Sequence, residues 1–188
     1  MPYTEDLTSD ITTLKGDNNK CYGTTQKIYV AASTTVNKGQ VVRYTTSTVD
    51  STTYLTVEPF TFDNDNVEQL TKFNTDNINM AFAGIALETI TSTADTLNEV
   101  IICTKGICQV KITDNFEVTA FDHTTTQVNY MGRPCILNTD GYGFNTSEQV
   151  APDTNYVEIG TFLETGALVT AANSFILINL DVKFYEML

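Results

Sequence analysis

The chain of 188 residues has no tryptophan, one histidine, four cysteines, and ten lysines and arginines against 23 aspartates and glutamates, a formal net charge of −13. Each shortage closes something off. An acidic balance repels phosphate backbones, so no nucleic-acid partner is expected, and it keeps free copies dispersed. No apolar run reaches the roughly 18 residues that a membrane span needs, so no membrane partner is expected either. The opening Met-Pro-Tyr-Thr-Glu-Asp has no basic region followed by an apolar core, so no secretory leader is expected. The cysteines, at 21, 103, 108 and 135, match no zinc spacing, and one histidine does not complete a usual Cys/His site. Without a leader, the expectation is small, buried, reduced thiols. The alternative is a cross-strand Cys103–Cys108 disulfide, if Lys105-Gly106 is a tight turn that sets the two face to face.

Catalysis lacks a foothold. There is no Gly-rich phosphate loop, no Gly-x-Ser-x-Gly elbow and no metal-binding cluster. His123, within Asp122-His123-Thr124-Thr125, reads as a surface-loop residue, because a neighbouring hydroxyl means nothing in a chain so rich in threonine. Asp63 and Asp65 begin like a calcium loop, but Val67 and Glu68 break the pattern, so the stretch reads as a polar loop. With 23 acidic residues a carboxylate pair for glycoside hydrolysis is always available and decides nothing. Neither an enzyme nor a cofactor is expected.

What is present favours strands: threonine with valine, isoleucine, tyrosine and phenylalanine. Gly84-Ile-Ala-Leu-Glu-Thr returns 76 residues later as Gly160-Thr-Phe-Leu-Glu-Thr, and Thr93-Ala94 is matched by Thr170-Ala171. The repeat predicts two related β-hairpin-like units in one domain. Glu88 and Glu164, the acids in matched settings, are expected to end a strand and bond a neighbouring loop.

In chain order, residues 1–25 read as an N-terminal arm and 26–188 as a single β domain. Tyr3, Leu7, Ile11 and Leu14 recur at helical spacing, with Thr4 as a possible cap, although threonine and serine are poor helix formers. These four are the candidate interface residues; a first core strand is the rival reading of the arm. Strands are expected at Lys27–Ala32, after a Gly39 turn at Val41–Thr45, at Tyr54–Val57 up to Pro59, at Met80–Leu87, at Val100–Cys103 and Ile107–Ile112, bent or turned at Gly106, and at Met131–Leu137. Tyr142–Phe144 returns from the Asn138–Gly141 turn, Tyr156–Gly160 follows, and the last strand puts Ile176, Ile178, Leu180 and Val182 on one face. The fold class is all-β, a barrel or sandwich of antiparallel strands with two similar hairpin units plus the arm.

The order of these pieces resembles the small β-barrel decoration (capsid-stabilising) proteins of tailed-phage heads. It runs Val36 to Val42, Gly84 to Leu87, Val100 to Val110, Gly132 to Ile136, then Gly160 to Ile178. The resemblance covers roughly residues 27–184; the arm and the 60–79 loop depart from it. It implies a virion structural protein on the outside of a capsid, made in the host cytoplasm. The implied partners are the major capsid protein and further copies of itself, as a trimer or other homo-oligomer. A fibre or adhesin-type glycan-binding module is the alternative, resting on abundant tyrosine and asparagine.

Overall fold

The computed structural model describes residues 21–61, 82–111, 132, 134–137, 141–145, 156–163 and 175–185. These form eleven strands: β1 Tyr22–Val30, β2 Thr35–Val36, β3 Val41–Val49, β4 Thr52–Pro59, β5 Phe82–Ala86, β6 Ile90–Thr91, β7 Glu99–Lys111, β8 Pro134–Leu137, β9 Gly143–Asn145, β10 Tyr156–Phe162 and β11 Phe175–Tyr185. The all-β expectation holds. Nine strands make one sheet, in the order β1-β4-β3-β5-β7-β11-β10-β8-β9, and a further β1–β7 pairing closes its first five into a ring. All its ladders are antiparallel except β1–β4, which is parallel and short.

The duplication is far clearer in the ladders than in the letters. Phe82, Gly84 and Ile85 of β5 face Arg43, Val42 and Val41 of β3. Seventy-six positions on, Glu158, Gly160 and Thr161 of β10 face Ile136, Cys135 and Pro134 of β8. Both ladders slip by one residue at the position before the glycine, Ala83 or Ile159. Ile85 and Ala86 then face Cys103 and Ile102, as Thr161 and Phe162 face Asn179 and Ile178. Single bonds repeat as well. The Leu87 N–H donates to Ile101 O at 2.9 Å and the Leu163 N–H to Leu177 O at 3.0 Å; the Gly39 N–H donates to Ala86 O at 2.7 Å and the Gly132 N–H to Phe162 O at 2.9 Å. Gly39 and Gly132 both sit at positive φ, 74° and 81°, the conformation that a tight entry into the next strand requires.

One strand serves both units. β1 pairs with the start of β7, Ile28 opposite Val100 and Tyr29 opposite Glu99. The end of β7 pairs with β11 in the same way, Val110 opposite Ile176 and Lys111 opposite Phe175. β7 is therefore the last strand of the first unit and the first strand of the second. Across it, β9 comes back against β7: the Lys111 ammonium lies 5.3 Å from the Tyr142 ring centre, and a Cβ at Gly143 would stand 3.0 Å from Val110. This corrects the expected turn at Lys105-Gly106. Gly106 is there because its strand runs tight against the Tyr22 backbone, leaving no room for a Cβ. β7, at 13 residues, is also longer than the closing strand of 11.

The interiors correspond position by position. Ile28, Val42, Ala83, Ala86, Val100 and Ile102 lie in the first cluster. Their counterparts Val110, Cys135, Ile159, Phe162, Ile176 and Ile178 lie in the second. Volume is redistributed: Phe162 replaces Ala86 and Ile159 replaces Ala83, while Gly143 stands where the first unit has Val57. Full burial of such a side chain stabilises by about 1.5–3 kcal/mol. The second cluster also holds Val41, Phe60, Ile85 and Leu87 from the outer side of the first ring, so the first unit contributes to both clusters. The small β2–β6 sheet adds Val36 of β2, fully buried, to the first cluster. There Ser92, itself buried, donates to Val30 O and accepts from the Asn98 N–H, each at 2.9 Å.

Candidate functional site

Tyr3, Leu7, Ile11 and Leu14, the four candidate interface residues, lie outside the described residues, as do Asp63, Asp65, His123 and Glu164. Of the stretch assigned to the arm, Tyr22 to Thr25 belong to β1. Glu88 is described: it follows the end of β5 by two residues, and its carboxylate accepts from the Ile101 N–H at 3.0 Å, so it bonds a neighbouring strand, β7, and not the loop that was expected. Among the described residues no three His, Cys, Asp or Glu side chains come together as a metal site.

The cysteines divide in an unexpected way. Cys21 is joined to Cys103, with Cα atoms 6.1 Å apart, while Cys108 and Cys135 are buried and outside any disulfide. Cys103 and Cys108 lie along one continuous strand, β7, so they do not face each other. The disulfide fastens the start of β1 to β7. Burial pushes the Cys108 thiol up to about 12.

Comparison of the two units picks out a surface that the letters hid. β8 and β9 pair at three positions, from Cys135↔Asn145 to Leu137↔Gly143. β3 and β4 pair at eight, from Val42↔Pro59 to Val49↔Thr52. The pair Tyr44↔Val57 matches Leu137↔Gly143, so Thr45 to Thr56 is a ribbon that the second unit lacks. It turns at Asp50-Ser51, both at positive φ (48° and 64°), without the glycine that such a turn prefers. That missing glycine is why the sequence showed two short strands here and no hairpin.

The ribbon leaves β1 almost at once. β1 and β4 share only Tyr29↔Thr56 and Val30↔Val57. Before these, every residue of Tyr22–Lys27 and of Thr52–Leu55 is exposed. Among the described residues, β1 is held there by β7 alone and β4 by β3 alone. The result is an open seam between two strands that run parallel. Strand alternation puts Tyr22, Thr24, Gln26, Tyr44, Thr53 and Leu55 on its inner side. Tyr22 is 42% and Leu55 57% exposed, and the Tyr44 hydroxyl bridges to Gln26 Oε1 at 3.0 Å.

On the outer side, Tyr29 and Tyr54 meet edge to face, ring centres 5.8 Å apart. Lys27 pairs with Glu99 beside the 40% exposed Ile101, and the hydrogen bond and charge of Glu99 hold the lysine above its ordinary value. Deeper, Arg43 donates to Glu58 at 2.8 Å and lies over Phe60. The sequence signal for the seam was the run of threonines itself, which reads equally well as ordinary strand.

No family model matches the chain, and no curated protein matches it. Among solved structures, it is similar to the N base of the head fiber gp8.5 of bacteriophage phi29, at 12% identity and a TM-score of 0.42. The match covers 84% of this chain and 95% of that one. A likeness that loose carries no argument about role.

Proposed function

We propose that this chain is a virion structural protein that decorates a phage head, binding the outer surface of the shell and stabilising it. The observation that carries the reading is where the resembling motifs fall. Val36–Val42 and Gly132–Ile136 enter β3 and β8, and Gly84–Leu87 and Gly160–Leu163 occupy matching stations in β5 and β10, bond for bond. The series is thus a property of one repeated scaffold rather than of scattered short matches.

The mechanism is strapping. Packed genome drives shell subunits apart, and a stiff body that touches several of them opposes the separation. Many copies with modest individual contacts give large collective stability through effective concentration. The major capsid protein is the partner, further copies of this chain associate with it there, and Tyr3, Leu7, Ile11 and Leu14 are the proposed strap. Deleting residues 1–16 tests this: shell occupancy, read by co-sedimentation with genome-free heads, is lost while the thermal transition of the β body stays. Unchanged occupancy overturns the strap. A second reading, a fibre or adhesin-type glycan-binding module, draws on the Tyr29–Tyr54 pair beside a hydroxyl-rich ribbon. Micromolar hits on a glycan array would promote it over the first.

A further inference from the structure

We propose that the seam between β1 and β4 is a strand-docking site that takes an extended, uncharged segment of a shell subunit. The proposal rests on the functional reading above, which names the shell as partner, and adds where and how it is gripped.

Three observations lead to it. The first is the chemistry of the lining. Two strands that part after a two-residue ladder turn main-chain edges without a ladder partner among the described residues toward one gap. Main-chain N–H and C=O groups in a row recognise another main chain. Because β1 and β4 are parallel here, one segment running the opposite way makes antiparallel ladders with both.

The second is charge. Tyr22–Ile28 and Thr52–Leu55 carry a single charged side chain, Lys27, already paired with Glu99, in a chain of net −13. This is a place where an incoming uncharged segment meets little repulsion and leaves no charge to be desolvated. Leu55, level with Ile28, and Tyr22, six residues earlier along β1, offer apolar contact at two separate points along it.

The third is the internal control. The second unit shares the scaffold without the ribbon, and the residue at the Gln26 station there, Cys108, is fully buried. The ladders that the two units share therefore form without the ribbon, although Thr56 at its base helps to close the first ring opposite Tyr29. The base of the ribbon is tied in, with Thr56 opposite Tyr29, Tyr54 against the Tyr29 ring and the Ala32 N–H donating to Ser47 Oγ at 3.1 Å; the glycine-free turn at positive φ beyond it is a structural cost that these contacts do not need.

The test uses the full chain and genome-free heads of its virus. Leu55→Glu and Thr53→Glu place charges at exposed seam positions; Ile101→Glu, exposed on the outer side of the same ring, is the control. Binding is expected to weaken at least tenfold for each seam variant and less than twofold for the control, with thermal transitions within a few degrees of wild type. Amide exchange adds a readout specific to main-chain pairing: the seam-facing amides of Tyr22–Lys27 and Thr52–Leu55, every second one along each strand, slow at least tenfold on the heads. If the wild type binds heads while the seam variants bind as tightly and those amides exchange at the free rate, the seam is wrong and the functional reading stands. If the wild type does not bind heads, both fall together.

Discussion

Alanine at position 160 is the sharpest probe of the repeated scaffold. A Cβ there would meet the Asn179 carbonyl, its carbon at 3.0 Å and its oxygen closer still, with the Leu180 Cα at 3.2 Å. These are backbone atoms, so no side chain can swing away, and β10 must part from β11 by about an ångström. Overpacking of this kind costs about 1–3 kcal/mol. The opening also stretches a ladder bond beyond its useful range, adding about 1 kcal/mol. Gly160→Ala should therefore lose about 2–4 kcal/mol, and roughly 5–12 °C in Tm for a chain of this length. Gly84 is its counterpart, with the Cys103 carbonyl carbon at 3.1 Å, so Gly84→Ala should lose the same to within about 1 kcal/mol. Gly132 separates crowding from backbone strain: nothing lies within 4 Å of a Cβ there, and φ is +81°. Its alanine variant should lose only about 1–2 kcal/mol. Urea unfolding followed by tyrosine emission, unobscured by tryptophan, measures all three. Losses under about 1 kcal/mol at both 84 and 160, or a difference between them above about 2, would refute the equivalence of the strand contacts.

Further expectations follow from single groups. Cys21→Ser removes a link across 82 residues of chain; loop entropy puts the loss at about 4–5 kcal/mol, and treating the wild type with reductant should match it in urea unfolding. The Cys108 thiol should resist thiol reagents in the native state at pH 8 and react on unfolding. Its pKa is raised from 9.0 to about 12 by burial, so its contribution to stability is complete below pH 9 and is lost as pH climbs from 9 toward 12, at about 1.4 kcal/mol per unit. Cys108→Ala should flatten that alkaline slope. Ser51→Gly relieves positive φ at the ribbon turn and should raise stability by about 0.5–1 kcal/mol; a loss would mean that the serine side chain holds the turn.

How much of this was legible depends on what each residue was doing. Strand positions were readable wherever burial imposes alternation, as at Ile176, Ile178 and Leu180, or where Pro59 and Gly39 punctuate the chain. The repeat showed only as Gly-x-x-Leu-Glu-Thr, because what the two units share is register, and register tolerates changed letters if volume is kept; Ala86 and Phe162 occupy one station. Lys105-Gly106 misled because glycine serves tight turns and tight strand contacts alike, and nothing local separates the two. The Cys21–Cys103 link was out of reach, since it joins distant segments that only the β1–β7 ladder brings together. The seam was illegible for a different reason. An exposed threonine strand and a half-buried one are spelled alike, and only a second unit lacking the ribbon marks it as an addition.

Because β7 ends one unit and begins the next, the molecule can be cut in one direction only. A chain stopped after Lys111 keeps all five strands of its first ring, though it bares the apolar side formed by Val41, Phe60 and Ile85. A chain started after that point has lost the opening strand of the second unit and has no template on which Phe175–Leu180 can settle. During synthesis the early half can therefore wait for the late one, and the late half has nothing to build on without it.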